Sequence, residues 1–140
     1  MRPIRTLPLL LAAGLPSALP AAEIPPEMLA KFVKILCGSA GGGTKVASKD
    51  SALNGKLTEA GLSIDAGSKI AWAATEADVA AYKAAGKLVI CPKLEWLTKG
   101  GSVAIVEEGG RPQIILHMGN IEASGVKLSD SILKIGKPIR

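Results

Sequence analysis

Short apolar segments alternate with helical segments through the middle of this chain of 140 residues. Three apolar segments have the length and composition of β-strands: residues 44–48, 68–74 and 87–91. Two segments between them begin after a capping residue and end before a glycine, as helices do: residues 52–60 and 76–85. Because strands joined through helices build a parallel sheet, this alternation predicts an α/β fold.

Two of the strands carry a clear burial signal. Leu88, Val89 and Ile90 are consecutive apolar residues, which is typical of a strand that is buried on both faces of a sheet. Ile70 and Trp72 are two positions apart, so in a strand their side chains lie on the same face. We therefore expect helices to cover both faces of the sheet.

The flanking segments complete the predicted architecture. Apolar residues recur at helical spacing in 26–37, directly after two prolines, and predict an opening helix. Residues 102–107 and 111–117 flank Gly109-Gly110, which indicates a hairpin at one edge of the sheet. Two polar residues near the C-terminus are candidate helix caps: Asn120 and Ser129. The prediction is a three-layer α/β sandwich with a mixed, mostly parallel sheet of about five strands and a C-terminal antiparallel hairpin.

The N-terminal segment has the layout of a secretory signal peptide. Arg2 and Arg5 precede an apolar run at 7–19, two alanines follow at 21–22, and the first acidic residue is Glu23. The run is shorter than the roughly 20 apolar residues that a membrane-spanning helix needs. The sequence thus predicts a signal peptide at 1–22, cleavage near Ala22, and a single periplasmic domain at 23–140. An uncleaved N-terminal anchor is the alternative.

The charge of the chain argues against a nucleic-acid partner. The formal net charge is +5, and loss of Arg2 and Arg5 with the signal peptide lowers it to +3. The lysines are scattered, and the aromatic residues are few. Nucleic-acid binding requires a basic stripe, often with aromatic side chains on which bases stack. We expect neither nucleic-acid binding nor membrane insertion after cleavage.

Cys37 and Cys91 are the only cysteines, and besides an intermolecular or metal-binding role two arrangements stay open for them. An even count in an oxidising compartment suggests a disulfide. The predicted elements place Cys37 at the amino ends of the strands and Cys91 at a carboxyl end, about 17 Å away along a five-residue strand. A disulfide needs Cα atoms within about 7 Å, so two buried thiols are the other arrangement.

No set of residues predicts catalysis, a cofactor or a metal site. His117 is the only histidine and is expected to be a hydrogen-bonded structural residue. The glycine-rich segment 38–45 precedes a strand, whereas a phosphate loop follows one. Ser131 and Lys134 match a motif of acyl-enzymes whose partner motifs are absent from the sequence. The adjacent Glu107-Glu108 would point to opposite faces of a strand, so we do not expect a catalytic acid pair there.

The C-terminal half resembles the YfiR-like family of periplasmic domains. The residues that carry the resemblance are Gly100-Gly101, the strand at 102–105, the turn at 108–110, the apolar strand at 114–116, Ala123, Gly125, Ser129 and the apolar positions 132, 133 and 135. The family usually has asparagine where this chain has His117. The resemblance implies an exported, non-enzymatic regulator that contacts the periplasmic part of an inner-membrane signalling protein, a diguanylate cyclase.

Three functions follow from these observations, in order of preference. The first is a regulatory or protein-interaction module, whose partner surface would lie on the late hairpin and the turn before it: Glu95, Trp96, Glu107 and Glu108. The second is a small-ligand binding protein that uses the crevice at the carboxyl ends of the strands. The residues expected beside that crevice are Ser48, Thr75 and Cys91. The third is a thiol-dependent enzyme that uses Cys91.

Overall fold

The structure of the protein is a computed structural model that describes residues 24–40 and 43–139. The signal peptide expected at 1–22 and its cleavage site lie outside the described residues, as do Gly41 and Gly42 of the glycine-rich segment. Within the described ranges, no helix combines the length and the apolar character that crossing a membrane requires.

The described residues form helices and strands in the alternating order that the sequence predicts. The helices are α1 (Pro26–Ser39), α2 (Ser51–Glu59), α3 (Glu76–Ala84), a 3₁₀ helix (Leu94–Lys99), α4 (Met118–Ser124) and α5 (Asp130–Ile135). The strands are β1 (Lys45–Ser48), β2 (Ser63–Ile64), β3 (Ile70–Trp72), β4 (Leu88–Cys91), β5 (Val103–Glu108), β6 (Arg111–His117) and β7 (Lys137–Ile139).

All of these strands join one mixed sheet in the order β2-β1-β3-β4-β5-β6-β7. Strands β1 to β5 are parallel, β6 is antiparallel to β5, and β7 is parallel to β6. The predicted mixed, mostly parallel sheet is confirmed, but the expected number of about five strands is too low. The two additional strands, β2 and β7, are two and three residues long, too short to show an alternating pattern.

The position of the hairpin differs from the prediction. Strands β5 and β6 form it, with Gly109 and Gly110 at φ values of 62° and 81° in the turn, which glycine adopts without strain. However, β7 pairs with the outer side of β6. The hairpin is therefore interior to the sheet, and the C-terminal strand forms the edge.

Helices cover both faces of the sheet, which confirms the three-layer architecture. On the first face, α1, α2 and α5 bury Val33, Leu57 and Ile132 in one core with Ile70 and Trp72. On the second face, the side chains that cover the sheet come from α3 and the 3₁₀ helix: Val79, Tyr82 and Leu97. Strand β4 contributes to both cores and is buried throughout, as its apolar run predicts.

Candidate functional site

The strand order creates a switch point between β1 and β3. From β1 the chain passes through α2, on the first face, to β2. From β3 it passes through α3, on the second face, to β4 on the opposite side. The two connections diverge at the carboxyl ends of β1 and β3. In open α/β sheets, ligands bind in the crevice that such a divergence leaves.

A cavity of about 510 Å³ opens at this edge of the sheet. We call it the edge cavity, and its lining residues are Ile24, Leu29, Asp50, Trp72, Ala74, Pro92, Lys93, Leu94, Glu95, Ile105, Val106 and Glu107. Its volume is in the range of clefts that bind small molecules, roughly 300–1,000 Å³. Eight lining residues are apolar and four are charged, a composition that is also typical of such clefts.

One wall of the edge cavity exists because β5 is longer than its neighbour β4. Cys91, the last residue of β4, is paired with Ala104, so residues 105–108 of β5 extend beyond the end of β4. Strand β6 supports this extension by pairing with it as far as the turn. Ile105 and Glu107, on the extension, line the cavity.

Helix α1 closes the edge cavity from the first face. The carboxyl end of α1 lies beside the start of β1, where the Cys37 thiol donates to the carbonyl oxygen of Lys45 at 3.6 Å. The helix therefore runs opposite to β1, and its first turn lies at the carboxyl ends of the parallel strands. Leu29 of that turn and the preceding Ile24 reach the cavity.

Asp50 and Trp72 are held together at the edge cavity. The Asp50 carboxylate accepts from the backbone N–H of Leu53 at 3.2 Å through Oδ1, so Asp50 is the N-cap of α2. Its Oδ2 accepts from the indole Nε1–H of Trp72 at 3.1 Å. Because both carboxylate oxygens are engaged, the position of the indole relative to α2 is fixed.

The edge cavity has more negative than positive side chains. Asp50, Glu95 and Glu107 contribute carboxylates, and Lys93 contributes the ammonium group. Among the described residues, neither glutamate takes part in a salt bridge. The Lys93 Nζ lies 5.5 Å from the centroid of the Trp96 ring, which is a cation–π distance.

The structure divides the predicted partner surface between two places. Glu95 and Glu107 line the edge cavity. Trp96 is half-buried and packs against the core of the second face, whereas Glu108 is exposed and its carboxylate lies 3.5 Å from the Lys137 Nζ. The adjacent carboxylates of β5 thus have different surroundings, as the alternation of side chains along a strand predicts.

The residues that were expected to flank the crevice do not line it: Ser48, Thr75 and Cys91. Neighbours one or two positions away line it instead: Asp50, Ala74 and Pro92. The Ser48 hydroxyl accepts from the Asp50 backbone N–H at 3.2 Å, and the Thr75 hydroxyl caps α3 by accepting from Asp78 at 3.1 Å. The sequence thus predicts where the crevice lies but not which residues line it.

The two cysteines lie on opposite faces of the sheet. Cys37 is part of the core of the first face and Cys91 of the core of the second, and both thiols are free and buried. The structure therefore has the arrangement of two buried thiols, and the Cys37–Cys91 disulfide is not formed. Burial raises the pKa of each thiol from 9.0 to about 11, whereas a nucleophilic cysteine has a lowered pKa.

His117 is a structural residue, as predicted, and its role is to cap α4. Its Nδ1 accepts from the backbone N–H of Asn120 at 3.0 Å, so the prediction of Asn120 as the cap is wrong. The Asn120 side chain instead donates to the carbonyl oxygens of Leu97 and Gly101, at 3.0 and 2.8 Å. These bonds join α4 to the 3₁₀ helix and to the turn that follows it.

Comparisons with known proteins add no family to this description. No family model matches the chain, and no curated protein matches it either. Within 24–40 and 43–139, no group of three or more histidine, cysteine, aspartate or glutamate side chains is placed to hold a metal ion.

Proposed function

We propose that this protein is an exported, non-enzymatic domain that binds a small molecule in the edge cavity. The observation that carries the proposal is the place of the cavity: Asp50, Trp72 and Ala74 of its lining lie at the switch point between β1 and β3, where sheets of this kind bind their ligands, and the cavity extends from there to β5. Its mixture of apolar walls and a few charged groups supports the proposal further.

The chemistry around the edge cavity favours binding over catalysis. The nearest thiol, that of Cys91, is buried in the core of the second face with a raised pKa, so it is mostly protonated at neutral pH. The one histidine uses a ring nitrogen to cap α4. Asp50 uses both oxygens to hold α2 and Trp72. Within the described part of the chain, these three groups serve the fold rather than act as a nucleophile and an adjacent base.

The experiment that tests this proposal is a thermal-shift screen of a metabolite panel with a blocked variant. A ligand that binds only the folded state raises the melting temperature. We expect at least one compound to stabilise the wild type and to lose this effect in Ala74→Phe, which fills the cavity. Ala80→Phe, at an exposed position on α3, is the matched control and should retain the effect. Equal stabilisation of both variants would contradict binding at this cavity.

Export is a separate part of the proposal and has its own test. Expression of the full-length chain in a bacterium with periplasmic fractionation should give a shortened protein in the periplasm. N-terminal sequencing should find a start near Glu23. A full-length, unprocessed protein in the cytosol would contradict export. It would not affect the binding proposal, which the thermal-shift screen tests separately.

The regulatory role implied by the family resemblance is the second candidate function. The observation that favours it is that Leu94 and Glu95 are adjacent and both exposed in the turn of the predicted partner surface, so an apolar and a charged side chain are available together to a partner. Charge reversal of Glu107 and Glu108, followed by capture of envelope proteins, tests it. We expect the variant to lose a membrane signalling partner that the wild type captures, and unchanged capture would count against this role.

A further inference from the structure

We propose that the ligand of the edge cavity is an organic cation: a protonated amine attached to an apolar or aromatic body. This inference rests on the proposed function and adds the chemical class of the ligand. Two observations support it: the charge of the side chains that line the cavity and the presence of apolar side chains beside them.

The charge of the edge cavity is opposite in sign to that of the chain. The whole sequence has 17 lysines and arginines against 12 acidic residues. The cavity reverses this balance, since three carboxylates and one ammonium group line it. A negative cleft on a positive protein concentrates positive ligands locally, because low-dielectric walls focus the field of the charges that line them.

Two of the carboxylates are available to a ligand. Glu95 and Glu107 form no salt bridge with any described residue, whereas the neighbouring Glu108 lies beside Lys137. The only ammonium group of the cavity, that of Lys93, lies over the ring of Trp96. Trp96 packs on the second face of the sheet, and its ring engages the ammonium group of Lys93 there. A ligand ammonium could therefore pair with either glutamate.

The apolar walls decide between an organic cation and a bare metal ion. Ile24, Leu29 and Leu94 are apolar side chains of the lining that remain accessible, whereas Trp72 and Ile105 are almost fully buried behind them. A metal ion is bound by oxygen, nitrogen or sulfur ligands and would leave these walls in contact with water. An amine with an aromatic body would bury its apolar part against the accessible walls and place its charge at the glutamates.

Three probes that share one body and differ in charge test the inference. They are 4-phenylbutylamine, 4-phenylbutan-1-ol and 5-phenylvalerate, and calorimetry measures their affinity for the protein purified after expression of the full-length chain. We expect the amine to bind roughly tenfold more tightly than the alcohol, which is the effect of one charge-assisted hydrogen bond. We expect the carboxylate to bind most weakly.

Charge-neutral variants then locate the interaction. Glu107→Gln and Glu95→Gln should each reduce the preference for the amine over the alcohol. Glu108→Gln removes a carboxylate that is adjacent in sequence but lies outside the cavity, so it should leave the preference unchanged. Tighter binding of the alcohol or the carboxylate overturns this inference while small-molecule binding stands. An equal reduction of the preference for the amine in Glu108→Gln and Glu107→Gln overturns it as well. If neither a probe nor a panel compound binds, both proposals are overturned.

Discussion

At the scale of single residues, Gly101 shows how closely the end of the 3₁₀ helix packs against β4. The residue is buried, and a Cβ atom added to it would lie 2.9 Å from the Cys91 Sγ and 3.1 Å from the Trp96 carbonyl oxygen. Its own carbonyl oxygen accepts from Asn120. The sequence places this glycine directly before a predicted strand, but only the structure shows that the absence of a side chain is a packing requirement.

We predict that Gly101→Ala destabilises the protein by about 1–3 kcal/mol, the usual cost of overpacking a core. Gly55→Ala is the matched control, because Gly55 lies inside α2 with no atom within 4 Å of an added Cβ. The control should be stabilised by about 0.5–1 kcal/mol, since alanine favours a helix more than glycine does. Urea denaturation measures both changes, and equal stability of the two variants would contradict the packing at Gly101.

The buried thiols predict a loss of stability at alkaline pH. Burial raises the pKa of Cys37 and Cys91 to about 11 in the folded protein, while the unfolded chain titrates near 9.0. Between these values the unfolded state binds fewer protons than the folded state, so the free energy of unfolding decreases as the pH rises. Burial also raises the pKa of Tyr82, which contributes in the same direction.

The thiol contribution can be isolated with the double variant Cys37→Ala/Cys91→Ala. This variant keeps Tyr82, so its free energy of unfolding should decrease less steeply than that of the wild type between pH 9 and 11. Urea denaturation at several pH values measures the slopes. Parallel slopes would show that the thiols are not buried as described.

At the scale of elements, the N-cap of α4 is the clearest case of an unexpected role. His117 is the last residue of β6 and caps the next helix through Nδ1. Loss of an N-cap side chain typically costs about 1 kcal/mol, so we expect this destabilisation for His117→Ala. His117→Asn should retain most of the stability, because asparagine is a preferred cap. Thermal or urea denaturation distinguishes the two, and an equal loss in both variants would contradict the capping role.

Sequence patterns identify the longer elements because burial leaves a periodic signal in them. Strand β4 is predicted from Leu88-Val89-Ile90, and α2 and α3 are predicted from the capping residues before 52–60 and 76–85 and the glycines after them. The strands β2 and β7 are missed because their two or three residues are exposed and carry no pattern. Each is defined by its pairing with a neighbouring strand, and the paired residues are distant in the sequence.

At the scale of the whole molecule, the edge cavity is assembled from five separate segments of sequence. The parallel order of the strands predicts a crevice at their carboxyl ends, and this prediction locates the cavity correctly. The extension of β5 beyond Cys91 and the closure by Leu29 of α1 were not predictable, because each depends on strand register or helix packing. The link between Asp50 and Trp72 joins residues 22 positions apart and has no local signal.

The most direct test of a binding site at the edge cavity uses the two tryptophans of the chain. Trp72 lines the cavity, whereas Trp96 packs against the core of the second face, and their indole N–H groups give separate signals in a ¹H–¹⁵N NMR spectrum. The variant Trp96→Phe assigns the signals. On titration with the tightest-binding phenylbutyl probe, the Trp72 signal should shift more than that of Trp96. A Trp72 signal that stays in place while the probe binds would contradict the assignment of the edge cavity as the binding site.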